Sequence, residues 1–307
     1  MRAILTTALI AVACIHLRGG QPGDRLQFDA ASVKPVAPWQ GVGIPPIPYV
    51  EGGPGSRDPT RVVFHKYALL QLLTTAYGVS EYQISGPGWL VKAGYLDADR
   101  FEIIATLPAG TTKAQYLLML QDLLMERFHL KVHRAQVEAS VYELVIGKNG
   151  PKLKESSVRA DVSEHEADML QAIKNNDFSK LGPIGKDGFH AMAPGYPAVQ
   201  PTVRGDRMLC RFVSYSMPAF AAWLADDVKS LVQDRTGLKG VYDFDIEFQR
   251  RLQAAPAGAD GGALSGDEGA PDLFGAVQSQ LGLRMVGRKG QVEMLVVDSA
   301  DRAPTAN

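Results

Sequence analysis

Residues 232–244 concentrate side chains whose types suit ligand binding or acid–base chemistry. Asp234 and Arg235 precede a Thr-Gly pair, and this order is typical of a tight turn in which the aspartate accepts hydrogen bonds from backbone amides. Asp243 and Asp245 stand at alternate positions, so both carboxylates share one face of a predicted strand. These four side chains are the candidate binding residues, and Asp243 and Asp245 are the pair that would flank a cation or a carbohydrate. The favoured interpretation of the segment is nevertheless a turn followed by a strand with a solvated acidic face.

Trp89 is the aromatic side chain best placed to stack on a ligand. The three residues before it, Gly86, Pro87 and Gly88, predict an exposed turn. Trp223, in contrast, lies on the apolar stripe of a predicted helix and is assigned to the core. Trp89 therefore joins the predicted binding residues.

The histidines form no complete metal or catalytic motif. His165 and Glu166 begin like the helical motif of zinc proteases, but Met169 stands where the second histidine is needed. His129 and His133 lie four residues apart on a predicted strand and have no third ligand. The nucleophile elbow, the phosphate-binding loop and the dinucleotide fingerprint do not occur in the sequence. The sequence predicts no catalytic residue, no metal ligand and no cofactor.

The elements that would position these side chains occur twice along the chain. Residues 61–70 and 211–220 each predict a short strand, a turn and an amphipathic helix. A further strand follows in each case, at residues 101–104 and 242–248, and the second of these alternates apolar with acidic residues. We interpret this recurrence as an internal duplication.

Each predicted half continues with a helix and ends with two strands. Thr112 and Gln115 form a capping-box pattern at the start of the first helix, and Pro271 suits the first turn of the second. Residues 128–146 and 281–297 are each predicted to form a β-hairpin. The predicted fold class is α+β, with two similar lobes that each pack helices on an antiparallel sheet.

The distribution of 31 glycines and 19 prolines places loops around these units. Residues 36–59 and 182–205 are predicted to be loops. The predicted domains are a signal peptide at residues 1–20, a first α+β lobe at 21–155, a helical and Gly/Pro-rich connector at 156–206, and a second lobe at 207–307 with a flexible insertion at 249–270.

Composition bounds the class of protein. The chain has 307 residues, 46% of them apolar, which is enough for one large core or two small ones. The formal net charge of −1 excludes a general nucleic-acid binder, which needs excess positive charge. Two cysteines exclude a disulfide-stapled scaffold, and Cys210 is predicted to pack as a small buried hydrophobe.

The N-terminus predicts export. Met1 and Arg2 precede an apolar run of signal-peptide length, and Ala11-Val12-Ala13 has the form of a cleavage site. The run is too short for a transmembrane helix, and no later stretch is apolar enough to span a bilayer. We expect a periplasmic or extracellular protein, with lipid attachment at Cys14 as the alternative.

Five separated motifs, in order along almost the whole chain after the signal, resemble one family. They are the segments 28–35, 84–90, 123–134, 149–153 and 234–244. The chain is similar to a large group of paralogous exported proteins of soil bacteria (Acidobacteria, Solibacter type), built on a domain without assigned function. In that group the domain is sometimes fused to a membrane zinc peptidase. The resemblance implies export and a single shared fold, and it transfers no catalytic residue.

Three functions are compatible with the sequence. The first is a non-enzymatic module of the cell envelope that binds a small ligand or another envelope protein. The second is a secreted hydrolase of polysaccharide or peptide, with Asp234, Asp243 and Asp245 as the candidate acids. The third is a structural, secretin-like interaction domain that assembles through exposed sheet edges. The absence of a catalytic motif favours the first function.

Overall fold

The computed structural model describes residues 26–41, 47–156, 174, 185–189, 198–249 and 271–306. Several sequence predictions lie outside these residues: the signal peptide with Cys14, the His165-Glu166 pair, most of the connector, and the insertion beyond residue 249. None of the helices in the described part of the chain is long and apolar enough to cross a membrane.

Short helices and mostly short strands alternate along the described chain. The strands are β1 (Ala30–Pro35), β2 (Tyr49–Gly52), β3 (Arg61–Ala68), β4 (Ile84–Ser85), β5 (Arg100–Thr106), β6 (Lys131–Ile146), β7 (Lys154–Glu155), β8 (Ala198–Arg204), β9 (Arg207–Ser216), β10 (Val232–Asp234), β11 (Val241–Gln249) and β12 (Leu283–Ser299). The helices are α1 (Leu69–Tyr77), α2 (Gly88–Val91), α3 (Lys113–Arg127), α4 (Met217–Val228) and α5 (Leu273–Leu281), and a 3-10 turn spans Glu81–Gln83.

Three four-stranded sheets organise these elements. The first sheet has the order β1-β5-β3-β2, and the second has the order β7-β11-β9-β8; both are antiparallel. The third, which we call the shared sheet, has the order β10-β6-β12-β4. Its inner pair is antiparallel, whereas β10 and β4 add to the edges in parallel. The mixture of sheets and helices agrees with the predicted α+β class, but the expectation of purely antiparallel sheets is wrong.

Local sequence signals explain how the helices begin. Thr112 accepts a hydrogen bond from the backbone of Gln115, whose side chain in turn accepts one from the Thr112 amide, so the predicted capping box is confirmed. Ser216 caps α4 by accepting from Ala219. Asp272 caps α5, so Pro271 lies before the cap rather than in the first helical turn, and that expectation is wrong.

Two hydrophobic cores form, and each takes residues from distant parts of the chain. The first lies between the first sheet and helices α1 and α3, and it includes Leu295 and Val297 of β12. The second lies between the second sheet and helices α4 and α5, and it includes Leu144 of β6. The shared sheet therefore runs from one core to the other, and its strands bind the two cores together by apolar burial.

The two predicted hairpins do not exist. Residues 131–146 form the single 16-residue strand β6, residues 283–299 form the single 17-residue strand β12, and the two pair with each other. In β6 the reason lies in the linking sequence, because residues 135–140 contain no Gly, Pro or Asn that would favour a turn. In β12 the linking stretch does contain Gly287 and Gly290, and the strand continues through them because both pair with β6. Pairing with a strand about 150 residues away then satisfies the backbone of both.

The two predicted loops contain edge strands. Residues 36–59 include β2, which pairs with β3, and residues 198–204 form β8, which pairs with β9. Pro201 lies within β8, and proline is tolerated there because an edge strand leaves one side of its backbone unpaired. The local composition predicts turns, but both segments form strands because β3 and β9 offer backbone groups with which they can pair.

Candidate functional site

A cleft of about 580 Å³ lies where elements from two distant parts of the chain meet. It is lined by the start of α1, the 3-10 turn, α2, the chain that leads from α2 into β5, and the last turn of α4. This volume falls within the range of about 300–1,000 Å³ that is usual for small-molecule sites. The cleft is therefore large enough to hold a compact organic ligand.

Trp89 forms part of the aromatic wall of the cleft. It lies in the four-residue helix α2, which is anchored by the buried side chain of Leu90. The indole is half-buried and also packs against the first core. Tyr95, further along the same connection, is 49% exposed and lines the cleft as well. The structure thus places Trp89 in the cleft, and its contact with a ligand stays a prediction.

Arg100 is the buried charge of the cleft. Only 7% of the residue is exposed, and it stands at the first position of β5. Its guanidinium donates to the carbonyl oxygens of Lys66 at 2.8 Å and Tyr95 at 2.5 Å, and it lies 4.5 Å from the centre of the Tyr95 ring. The neighbouring carboxylate of Asp99 is held by Arg302 instead, at 2.5 Å. Among the described residues, no carboxylate lies within 4.0 Å of this guanidinium.

The second half of the chain contributes acidic and basic groups to the cleft. Asp226 and Lys229, at the end of α4, line it together with Glu81 and Tyr82 of the 3-10 turn. Burial, and then the charge of Glu81, raise the pKa of the Asp226 carboxyl. Burial, followed by the interaction with Glu81, raises the pKa of the Tyr82 hydroxyl, so this group stays protonated at neutral pH. The cleft thus offers hydrogen-bond donors beside apolar surface.

Asp234 and Arg235 lie away from this cleft, on β10 and directly after it. The Asp234 carboxylate accepts hydrogen bonds from the Thr236 amide at 2.9 Å and from the Thr236 hydroxyl at 2.7 Å. This is the tight turn that the sequence predicts. The Arg235 side chain is 61% exposed and approaches Glu143 at 4.0 Å. The structure therefore gives Asp234 a role in the turn, and it leaves Arg235 at the surface.

Asp243 and Asp245 lie on the face of β11 that is opposite the apolar residues Phe244 and Ile246, as the alternation predicts. Asp243 accepts a hydrogen bond from the Ser214 amide at 2.7 Å, next to the point where the register of β9 and β11 shifts. Asp245 forms a two-pronged ion pair with Arg211, at 2.9 and 2.8 Å. Both carboxylates are engaged by protein groups, and neither lines the cleft.

His65 lies in a cluster of polar side chains on the first sheet, and the sequence analysis does not predict this cluster. His65 of β3 lies 3.1 Å from a Glu102 oxygen and 3.7 Å from a Glu51 oxygen, and its ring stacks on Tyr49. These residues come from three strands, so no local spacing indicates the cluster. The described side chains give His65 no hydroxyl or thiol partner, and no group of three or more potential metal ligands converges in the described part of the chain.

No sequence pattern predicts that Arg100, Tyr82 and Asp226 belong to one site. They lie in a strand, a 3-10 turn and a helix of different parts of the chain, and only the folded arrangement brings them to one cleft. A charged residue that opens an apolar strand, as Arg100 opens β5, is the one local feature that could have drawn attention to the site.

Comparison with known families identifies a family for this chain. The model of the family described as "Protein of unknown function (DUF3738)" matches residues 70–300. The chain belongs to this family. Searches of curated proteins and of solved structures gave no match.

The DUF3738 match covers nearly all of the cleft. Apart from Ala68 and Leu69, every residue that lines it falls between residues 70 and 300. Strands β1, β2 and β3 lie before the matched residues, although they form most of the first sheet and cover the first core. The folded unit therefore begins well before the matched region.

Cys210 is the free thiol of the DUF3738 fold that the structure describes, and it is fully buried on β9 among the residues of the second core. Its predicted role as a small buried hydrophobe is confirmed. Burial, and secondarily the charge of Asp227, raise the pKa of the thiol to about 12.

We predict that Cys210 does not react with a thiol reagent in the folded protein at pH 8. A pKa of about 12 leaves about one thiol in ten thousand ionised at that pH, and the core excludes the reagent. The measurement is the reaction rate of a Cys14→Ser variant, which has Cys210 as its single thiol, with a chromogenic disulfide. Adding denaturant should restore the rate of a free cysteine. A fast reaction without denaturant would contradict the prediction.

Proposed function

We propose that this DUF3738 protein is an exported, non-enzymatic binding module of the cell envelope, and that its ligand occupies the cleft. The observation that carries the proposal is the lining of the cleft: apolar and aromatic surface around a buried guanidinium, in a space of about 580 Å³. Ligand sites typically combine apolar walls with a few convergent polar groups. The ligand is a small molecule or the side chains of a partner protein in the envelope.

The three carboxylates that the sequence suggests for a hydrolase do not line the cleft, so they do not support hydrolysis there. Asp234, Asp243 and Asp245 each accept hydrogen bonds from groups of the protein itself. A glycosidase needs two carboxyl groups that face one substrate across a gap of about 5–10 Å. Asp234 stabilises a turn, Asp243 stabilises a strand irregularity and Asp245 forms an ion pair, so each carboxylate has a structural role.

We propose in addition that the fold arose by duplication. The first and second sheets have the same strand order when β1, β2, β3 and β5 are compared with β7, β8, β9 and β11. The short strands β4 and β10 follow helices α1 and α4, and each pairs with the long strand of the other half. This exchange supports two copies that are joined through the shared sheet.

Separate expression of two fragments, cut between residues 157 and 197, tests the exchange of strands between the two proposed copies. We expect the fragments to copurify as a one-to-one complex, because β6 and β12 pair with each other. Either fragment alone should fail to unfold cooperatively, since its long strand lacks the partner. A second fragment that folds by itself would contradict the exchange of strands.

We also propose that the protein is exported and that it is related to the paralogous soil-bacterial proteins. The features that support export are the charged start, the apolar run and the small-x-small site at residues 11–13. N-terminal sequencing of the protein from the periplasm or the medium should show a start between residues 14 and 21. An intact Met1 in the cytoplasmic fraction would contradict export.

The cleft is tested with N-phenyl-1-naphthylamine, an uncharged aromatic probe whose fluorescence rises in apolar surroundings. We expect saturable binding of one probe per chain and an affinity about tenfold lower in a Trp89→Ala variant, which corresponds to the loss of about 1.4 kcal/mol of aromatic contact. The matched control is Trp39→Ala, because Trp39 does not line the cleft. Absence of binding, or an equal loss in both variants, would contradict the proposed function.

A further inference from the structure

Within the described part of the chain, the buried Arg100 guanidinium has no carboxylate partner. Burial of a charged group costs free energy unless an opposite charge or a full set of hydrogen bonds compensates for it. The described side chains place no carboxylate within 4.0 Å of Arg100, and the adjacent Asp99 is paired with Arg302. Two backbone carbonyls and one tyrosine ring supply partial compensation. The positive charge therefore remains available to a group that enters the cleft.

The second sheet has no arginine at the matching position. Arg100 is the strand partner of Ala68, the residue directly before α1. In the second sheet, the residue directly before α4 is Ser216, and its strand partner is Val241. The same place in an equally ordered sheet is thus filled by an apolar side chain. A use of Arg100 beyond the architecture of the sheet explains why the first half keeps a buried charge.

The connection between β4 and β5 shapes the cleft around this charge. It runs from residue 86 to residue 99 and contains α2, whereas the corresponding connection between β10 and β11 runs only from residue 235 to residue 240. The longer connection supplies Trp89 and Tyr95 as cleft walls. Hydrogen bonds to Lys66 and Tyr95 hold the guanidinium in place before a ligand arrives, which lowers the cost of binding.

We propose that Arg100 is the anion-binding residue of the cleft, and that the ligand is an aromatic or otherwise flat apolar molecule that carries an oxyanion group such as a carboxylate. This inference rests on the proposed function and specifies its ligand. A planar guanidinium presents a fork of donors that matches two oxygens of such a group. Trp89 and Tyr95 receive the apolar part, and Arg100 receives the charge.

The test compares two probes that differ by one charged group. 8-Anilino-1-naphthalenesulfonate is N-phenyl-1-naphthylamine with a sulfonate added, so the ratio of their affinities reports the anion site. We expect the wild-type protein to bind the sulfonate at least tenfold more tightly, and an Arg100→Met variant to lose that preference while its affinity for the neutral probe changes less than twofold. Lys92→Gln and Lys229→Gln are the matched controls, since both lysines line the cleft, and they should keep the preference.

Different results separate the two proposals. If neither probe binds in a Trp89-dependent way, the proposed function fails. If both bind equally well, or if the preference disappears with Lys92 or Lys229 and persists without Arg100, the cleft survives and the anion site is overturned.

A purely structural Arg100 is also distinguishable. It would lower the melting temperature of Arg100→Met and leave the ratio of affinities unchanged. Should that variant not fold, a crystal structure of the wild-type protein with the sulfonate probe decides: sulfonate oxygens within 3.5 Å of the Arg100 guanidinium support the site, as expected for a hydrogen bond, and any other position overturns it.

Discussion

Replacement of Phe212 by alanine is expected to lower the free energy of unfolding by about 3–5 kcal/mol, the usual cost of removing a fully buried aromatic ring. Phe212 has no exposed surface and lies at the centre of the second core. Its ring stacks on Phe244 at 4.7 Å and meets Tyr215, Phe220 and Trp223 edge-on at 5.0 to 5.2 Å. Four aromatic contacts would be lost at once, and the neighbours are fixed by strands and a helix.

Chemical denaturation followed by circular dichroism measures this effect. Since single domains are stable by about 5–15 kcal/mol, the loss would remove a large share of the total stability. Val203→Ala is the control, because Val203 is 52% exposed on the edge strand β8 and should change stability by about 0.5 kcal/mol at most. A loss below about 1 kcal/mol for Phe212→Ala would show that the ring cluster is not the centre of this core.

Gly282→Ala should strongly destabilise the junction between α5 and the shared sheet. Gly282 ends α5 with a φ of +67° and leads directly into β12. An added Cβ would collide with the backbone oxygen of Gly150 and would lie 3.1 Å from the Lys152 nitrogen, in the turn after β6. Left-handed backbone strain of about 1–2 kcal/mol and overpacking of about 1–3 kcal/mol give an expected loss of about 3 kcal/mol.

Substitutions at two further glycines separate the cost of backbone strain from the cost of overpacking. Gly78 ends α1 with a φ of +63° and has open space where an added Cβ would stand, so Gly78→Ala should show the backbone strain alone, about 1–2 kcal/mol. Gly290 lies inside β12 with open space and no positive φ, so Gly290→Ala should be close to neutral. Equal losses for Gly282→Ala and Gly78→Ala would contradict the predicted collision with the Gly150 turn.

The predicted site and the observed cleft overlap in one residue. Trp89 lines the cleft, whereas Asp234, Asp243 and Asp245 hold a turn, a strand irregularity and an ion pair. Residue type alone favoured clustered acids, because a run of carboxylates looks the same whether it faces a ligand or its own backbone. The distinction depends on which donors lie within 3 Å of each carboxylate. The donors to Asp234 come from the nearby Thr236, whereas the donors to Asp243 and Asp245 come from Ser214 and Arg211 on β9.

Local patterns determined much of the framework of this protein. The capping box at Thr112, the strand-to-helix junctions before α1 and α4, the alternation along β11 and the buried Cys210 all follow from interactions between residues close in sequence or from apolar periodicity. Such signals depend on the backbone geometry of one element, and the surrounding fold leaves them unchanged.

Only the tertiary structure decided how these elements combine. Whether β6 turns back on itself or pairs with β12 depends on a partner far along the chain, and strand periodicity is the same in both cases. The strands β2 and β8 exist because β3 and β9 offer free edges. The cleft depends on the tertiary structure in the same way, because Arg100 and the end of α4 line one cleft although they lie in different parts of the chain.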